Sequence, residues 1–359
     1  MNFHSDKISL HDSLELVNDW FYDQGWTDGL PIIPPTAERV AGLLAWTDRD
    51  SQDELGAMPP RYGIATIEKL AVNAVMAGCL PEYFPVVIAA VEAMLESPFN
   101  LYAVQSTTHP CAPLLILNGP ISRELGVNAR YNAFGQGWRP NATIGRALRL
   151  ILLNVGGGTP GVLDRATQGQ PSKYSYCIAE NEAENPWDPL QVERGFTADT
   201  STVTVCGAEG PHNINDHIST AAPGILTTIA STMAGMGSNN AYAFGEPILA
   251  LGPEHATILA RDGVGKNDIR AFMFEHARVP RETWKKGGMV GMGFAEDLFA
   301  DEAGVPPIRK PEHLMIIVVG GPGRHSCWMP TFGAMTRSVT RAITLKDGAS
   351  ARSIQDFRR

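Results

Sequence analysis

No apolar run in this chain reaches the roughly 18 residues that a membrane-spanning helix needs, so no span is expected. Residues Met1–Leu10 carry charge early and lead into no apolar stretch, which argues against a secretory signal. Cysteine is scarce and unpaired in pattern: there are five (Cys79, Cys111, Cys177, Cys206 and Cys327), widely spaced, with no C-x-x-C. A disulfide framework is therefore not expected, and reduced thiols in a cytoplasmic setting are the reading. Basic charge is also short. The formal net charge of -9 argues against nucleic acid or an anionic membrane as the main partner, and leaves room for a small anion held by a local Arg or Lys. There is no G-x-G-x-x-G after a first strand, no Walker loop and no G-x-S-x-G elbow, so no nucleotide cofactor or serine nucleophile is indicated.

What is present is an ordinary globular composition, 44% hydrophobic and 19% charged over 359 residues. Helical spacing runs through Leu10–Gln24, from Thr36 as an N-cap to about Ala45, from Thr66 to the break at Gly78, and over Tyr83–Leu95, Asn141–Val155, Ala221–Met233, His255–Arg261 and Lys266–His276. Short apolar or β-branched runs read as strands at Leu101–Gln105, Leu114–Leu117, Tyr174–Ile178, Thr202–Val205, Ile248–Leu251 and Ile316–Val319, and Met335–Ala342 reads as a last helix. The alternation predicts an α/β fold with largely parallel sheets, arranged as two related layered halves behind an N-terminal helical segment. The expected divisions are 1–60, 61–200 and 201–359, with Pro59-Pro60 closing the first. The relation between halves rests on a loose repeat: Pro113 to Gly119-Pro120 resembles Pro247 to Gly252-Pro253, each followed by a Gly-Val pair and a helix with Arg-Ala.

The candidate chemistry lies at strand ends, where α/β sheets bind ligands. Four predicted strands lead closely to a histidine: His109, His212, His255 and His325. Imidazole exchanges protons near neutral pH and binds metals. The stretch Glu209 to His217 packs His212, Asn213, Asn215, Asp216 and His217 together, and reads either as an Asx-rich cap or as a site. His212 and His217 are the metal ligands of an alternative reading, although their spacing fits no standard zinc motif. Cys79, at a helix break before Pro81, is a candidate nucleophile, since a helix N-terminus lowers a thiol's pKa. Cys111, Cys177 and Cys206 read as structural, and Cys327 as a weaker thiol candidate. The glycine-rich Met289-Val-Gly-Met-Gly-Phe294 reads as a loop more than a cofactor box.

Several segments together resemble the large region of the UGSC-type selenoprotein family: Trp26-Thr-Asp-Gly-Leu-Pro31 with Pro34-Pro35-Thr36, Asn73 to Cys79, Asn118-Gly-Pro120, and Gly210-Pro-His-Asn213. The resemblance spans roughly Trp26 to Thr344. It implies kinship with selenoprotein subunits of glycine and D-proline reductases, and a small domain bearing a selenocysteine or cysteine before Gly-Ser-Cys. No C-G-S-C occurs here, so that domain is either a separate partner subunit or is dispensed with. The resulting expectation is an oligomeric enzyme acting on a small polar molecule by thiol-dependent redox or elimination chemistry. Cys79, His109, His212 and Glu209 are its catalytic residues. Asn73, Thr108, Asn118, Asn213, Asp216, His255 and His325 are its substrate contacts. A metal-dependent hydrolase, hydratase or lyase, and a non-catalytic binding subunit, are the alternatives. The cofactor is unknown, with a transition metal open.

Overall fold

The computed structural model describes residues 3–288, 303–333 and 335–359. The Met289–Phe294 stretch lies outside the described residues. The strands are β1 (Glu54–Met58), β2 (Gly63–Thr66), β3 (Ala112–Asn118), β4 (Cys177–Ala179), β5 (Thr202–Ala208), β6 (His212–Asn215), β7 (Ile248–Leu251), β8 (Met315–Val318), β9 (His325–Met329) and β10 (Val339–Ala342). β1 and β2 form a small hairpin, and Pro59-Pro60, expected to separate segments, sits in its turn.

The remaining strands build an α/β fold around two sheets of four strands, ordered β10-β5-β3-β4 and β6-β9-β7-β8. The two share one plan. An inner strand pairs in parallel with the strand that follows its helical crossover, β3 with β4 and β7 with β8. Its other neighbour is antiparallel, β5 or β9, and a short strand lies antiparallel on that one. Parallel pairing needs a long crossover, and each half has one: the helix Arg139–Asn154 in the first, and Pro253–Arg261 with Lys266–His276 in the second.

The halves also exchange a strand. β6 follows β5 in the chain but joins the second sheet beside β9, while β10 follows β9 but joins the first sheet beside β5. The crossing segments lie side by side: Glu209 N donates to Pro330 O at 2.8 Å and Phe332 N to Gly207 O at 2.7 Å. A division at residue 200 therefore cuts β5 from the sheet it belongs to.

The sheets pack face to face through Leu114, Ile116 and Cys206 on one side and Ile248, Ala250 and Ile317 on the other. The alternate residues point outward. Leu115, Leu117, Val203 and Val205 meet the helices Ile67–Ala77, Phe84–Leu95 and Arg139–Asn154. Leu249, Leu251, Ile316 and Val318 meet Ala222–Met233, Pro253–Arg261 and Lys266–His276. The result is a four-layer α-β-β-α stack. Burial on both faces explains why these strands read as apolar or β-branched runs without alternation, each large aliphatic side chain contributing about 1.5–3 kcal/mol.

Two expected elements differ. Leu101–Gln105 is a helix, entered from Asn100 in the left-handed region (φ 54°). The Met335–Ala342 helix is replaced by β10, whose Val339 to Ala342 pair with Val205 to Thr202. The apolar spacing there fits either period, and the open edge of β5 decides it.

The repeated Gly-Pro has one cause in both halves. A Cβ on Gly119 would sit 2.7 Å from Ser201 Cα, and one on Gly252 would sit 2.1 Å from His325 O. In each case the chain entering the antiparallel neighbour crosses the glycine too closely for a side chain. The proline then opens a helix at a position where no N–H is needed.

The Trp26–Pro31 motif also acquires a physical role. Asp28 forms a two-pronged ion pair with Arg146, with Nε–Oδ2 and Nη2–Oδ1 both 2.8 Å, and Arg146 donates further to Pro31 O at 2.8 Å. The Asp28 side chain is 4% exposed and that of Arg146 15%, so the motif clasps the N-terminal segment to the long helix in a largely shielded pair. Asp28→Asn is expected to cost about 2 kcal/mol, the scale of a charge-assisted hydrogen bond lost from a buried site. Urea unfolding measures it, and an unchanged midpoint would deny the clasp.

Candidate functional site

The β3–β5 ladder explains how residues 100 apart in sequence meet. Ala112 lies opposite Ala208, so the residues just before β3 and just after β5 emerge at the same end. There His109 Nε2 and Glu209 Oε1 are 2.7 Å apart. Glu209 is positioned through its backbone, by its N–H on Pro330 O and by Tyr176 OH, which donates to Glu209 O at 2.9 Å. His109 is set by a turn in which its N–H donates to Thr107 Oγ1 at 3.0 Å, and its ring leans on Phe332. Thr108 is tied through its carbonyl, which accepts from Thr167 N at 3.0 Å. The imidazole is 12% exposed and the carboxylate 26%, so solvent reaches the pair without flooding it. Glu209 can take only the Nε2 proton. This leaves Nδ1, buried and unpartnered, as the nitrogen with a free lone pair. Ser106 Oγ, in the same loop, is likewise buried without a partner.

Cationic groups gather behind this pair. Arg149 donates from Nε to Lys173 O at 2.7 Å and from Nη1 to Gln105 Oε1 at 3.3 Å, and it forms no ion pair among the described residues. Burial pulls its pKa below the usual guanidinium range. Lys173 pairs with the buried Asp164 at 2.7 Å. Cys111 lies among these charges. Burial raises its thiol to about 12, while Lys173 and Arg149 pull it down and Glu209 and Asp164 push it up. Arg149, Lys173 and Asp164 carry no motif in the sequence. Their only signal is charge on an amphipathic helix that carries other arginines and in a long loop.

Three further histidines, His217, His255 and His325, gather at the far end of β6. His217 Nε2 stands 3.0 Å from His325 Nε2, and His325 Nδ1 is 2.9 Å from Asn213 Oδ1. Asp216 braces the intervening loop, accepting from Ser219 N at 2.9 Å, Ile218 N at 3.2 Å and Thr228 Oγ1 at 3.1 Å. Burial opposes its ionisation, but these donors outweigh it and hold the carboxyl at about 2. His255 is fully buried, with Nδ1 2.8 Å from Ser326 Oγ and Nε2 3.1 Å from Asp216 O. Burial lowers its pKa, and both ring nitrogens are engaged, so it acts as a neutral pin between Asp216 and Ser326.

Four strand-end histidines were expected to share one crevice, and they do not. His109 sits at the start of β3, while His255 and His325 sit at the opposite end of β6 from Glu209. His212 opens β6 opposite Trp328 and points into solvent, away from His217. The expected His212–His217 ligand pair is thus replaced by His217–His325. Among the described residues, no group of three or more His, Cys, Asp or Glu side chains converges to hold a metal.

Cys79 is not brought to either cluster. It lies between helices and donates to Thr143 O at 3.3 Å, and burial raises its thiol to about 12. The helix break it follows is a C-terminus capped by the left-handed Gly78, so no helix N-terminus acts to lower that value. Every other thiol is raised by burial as well, Cys206 to about 12 and Cys327 to about 11. Asn118 is fully buried and donates to Glu180 Oε2 at 2.7 Å, in a polar knot that joins the sheets. Asn73 accepts from Asn154 Nδ2 at 2.7 Å and lines a cavity of about 870 Å³ beneath the N-terminal arm Phe3–Leu10. Among the described residues, no histidine or cysteine lines that cavity. Of the two acids that line it, Asp6 and Glu68, the second is occupied in holding the arm through His4 N and Ser5 N.

No family model, curated protein or solved structure matches the chain.

Proposed function

We propose that this chain is an enzyme that moves a proton on a small anionic molecule at the His109–Glu209 pair, in a reaction of the elimination or addition type. The observation that carries the reading is the 2.7 Å imidazole–carboxylate contact, with a free ring nitrogen on the other side. A carboxylate on one nitrogen orients the ring and fixes its tautomer, so that the other nitrogen carries the lone pair a general base needs. Arg149, desolvated and in no ion pair among the described residues, favours an anionic substrate group, since a buried guanidinium is costly until paired.

The raised thiols favour acid–base chemistry over a thiolate route, because at neutral pH a thiol with a pKa near 12 is almost wholly protonated. A second reading keeps the redox role and assigns its thiol to a small C-G-S-C-type partner subunit. It is favoured by a row of exposed apolar residues, Ile8, Leu10, Leu14 and Leu16, on the N-terminal segment.

A panel of small carboxylates and phosphates bearing a leaving group, each beside its neutral amide or ester, tests the first reading. Turnover is expected for anionic members only, with KM raised roughly 10- to 100-fold in Arg149→Met. Turnover that is indifferent to substrate charge and to Arg149 would refute it.

A further inference from the structure

We propose that His217 and His325 form a second site, separate from the His109–Glu209 pair, which binds a late first-row transition dication such as Cu²⁺, Ni²⁺ or Zn²⁺ through their Nε2 atoms. The two Nε2 atoms are 3.0 Å apart. At metal–nitrogen bonds of about 2.0–2.1 Å this separation subtends roughly 95°, the angle between adjacent ligands of a tetragonal or octahedral ion.

The orientation of His325 fits the same role. Its Nδ1 faces the amide oxygen of Asn213 at 2.9 Å, and that oxygen can only accept. The ring proton is therefore on Nδ1, and the Nε2 lone pair is directed at His217. A carbonyl on the remote nitrogen is the usual support of a metal-bound histidine.

Both rings stand on braced backbone. His325 begins β9 and is paired with Asn215 of β6. His217 is held on the other side: Arg324 Nη1 donates to His217 O and Ser219 O, both at 3.1 Å, and the Asp216 carboxylate closes the turn beneath. Both imidazoles are exposed, so an ion has an open path and keeps coordination positions for water or a small ligand. Nitrogen donors select this class of ion, whereas Mg²⁺ and Ca²⁺ require oxygen.

The competing account is a plain hydrogen bond between neutral rings. Titration of the metal-stripped chain with Cu²⁺ alone, by calorimetry and by electron paramagnetic resonance, separates the two. Saturable binding of about one ion per chain is expected, with hyperfine splitting from a pair of imidazole nitrogens. His217→Ala and His325→Ala are each expected to abolish it, and Asn213→Ala to weaken it roughly 10- to 100-fold. His212→Ala, a solvent-facing histidine of the same strand, should leave it intact. These positions are exposed, so the variants should keep the wild-type circular dichroism. Absence of saturable binding by the wild type, or binding that survives both His217→Ala and His325→Ala, would overturn the proposal. The readout is binding, so the result is independent of whether His109 is a catalytic base.

Discussion

A His109→Ala variant is expected to lose about 10²- to 10⁴-fold in kcat/KM on the substrate identified by the carboxylate and phosphate panel, with most of the loss in kcat. Among the described residues, the ring is the only group at this end of the β3–β5 ladder that combines an unpartnered nitrogen with a carboxylate partner. On the proposed reading its loss should remove proton transfer, while Arg149, held by Lys173 O and Gln105, should remain placed to bind the anion. Glu209→Gln should fall between variant and wild type. A glutamine oxygen still accepts from Nε2, so the ring stays oriented, but the carboxylate that would face the imidazolium formed in the reaction is gone. A loss of roughly 10- to 100-fold is the expected scale. A merely structural role would behave differently, with both variants lowering thermal stability in step with activity and raising KM along with lowering kcat. If His109→Ala retained kcat within about threefold of wild type, the base would have to be sought elsewhere.

Much of the architecture was legible because burial writes itself into periodicity. The runs at β3, β5, β7 and β8 are buried at every position and mostly apolar or β-branched, since each lies between two packed layers, and the helices over them carry their caps in plain view, as Thr66 does by accepting from Lys69 N. The failures share a cause. Leu101–Gln105 and Val339–Ala342 are too short for periodicity to distinguish helix from strand, and a long-range partner decides the second of them. The strand exchange was invisible for the same reason: β6 and β10 are defined by strands more than a hundred residues away.

At the site, His109 and Glu209 were both visible as residue types, yet their pairing follows only from the ladder register. His212 was grouped with His217 by closeness in sequence. A strand of only a few residues is enough to carry them to opposite ends and to bring His325 in from far along the chain. Cys79 shows the converse error. A glycine that ends a helix looks locally like one that precedes the next, and the electrostatic consequence for the thiol differs in sign between the two.

Glu180→Ala is expected to cost about 3–5 kcal/mol, because this carboxyl satisfies several buried donors at once. Oε2 accepts from Asn118 Nδ2 and Leu190 N, each at 2.7 Å, and Oε1 accepts from Asn185 Nδ2 at 2.9 Å and Val318 N at 3.5 Å. These donors belong to β3, to the turn after β4, to a short helix and to β8, so one side chain ties the two sheets together at the carboxyl ends of their parallel pairs. Truncation would leave the donors buried with nothing to accept them. The loss should also depend on pH. Burial raises the Glu180 pKa above 4.5, against the pull of Lys266 and of its donors, so the folded chain retains this proton to a higher pH than the unfolded chain does. A raised folded value contributes stability that is full below about 4.5 and fades as pH climbs through it. The gap between wild type and Glu180→Ala should therefore be widest in acid and narrow toward neutrality, without closing, since the hydrogen bonds persist when the carboxylate is charged. Urea unfolding at a series of pH values measures both features. A penalty under about 1 kcal/mol at every pH would show that the donors find water instead, and a gap that widens with rising pH would show that the four donors, not burial, set the state of this carboxyl.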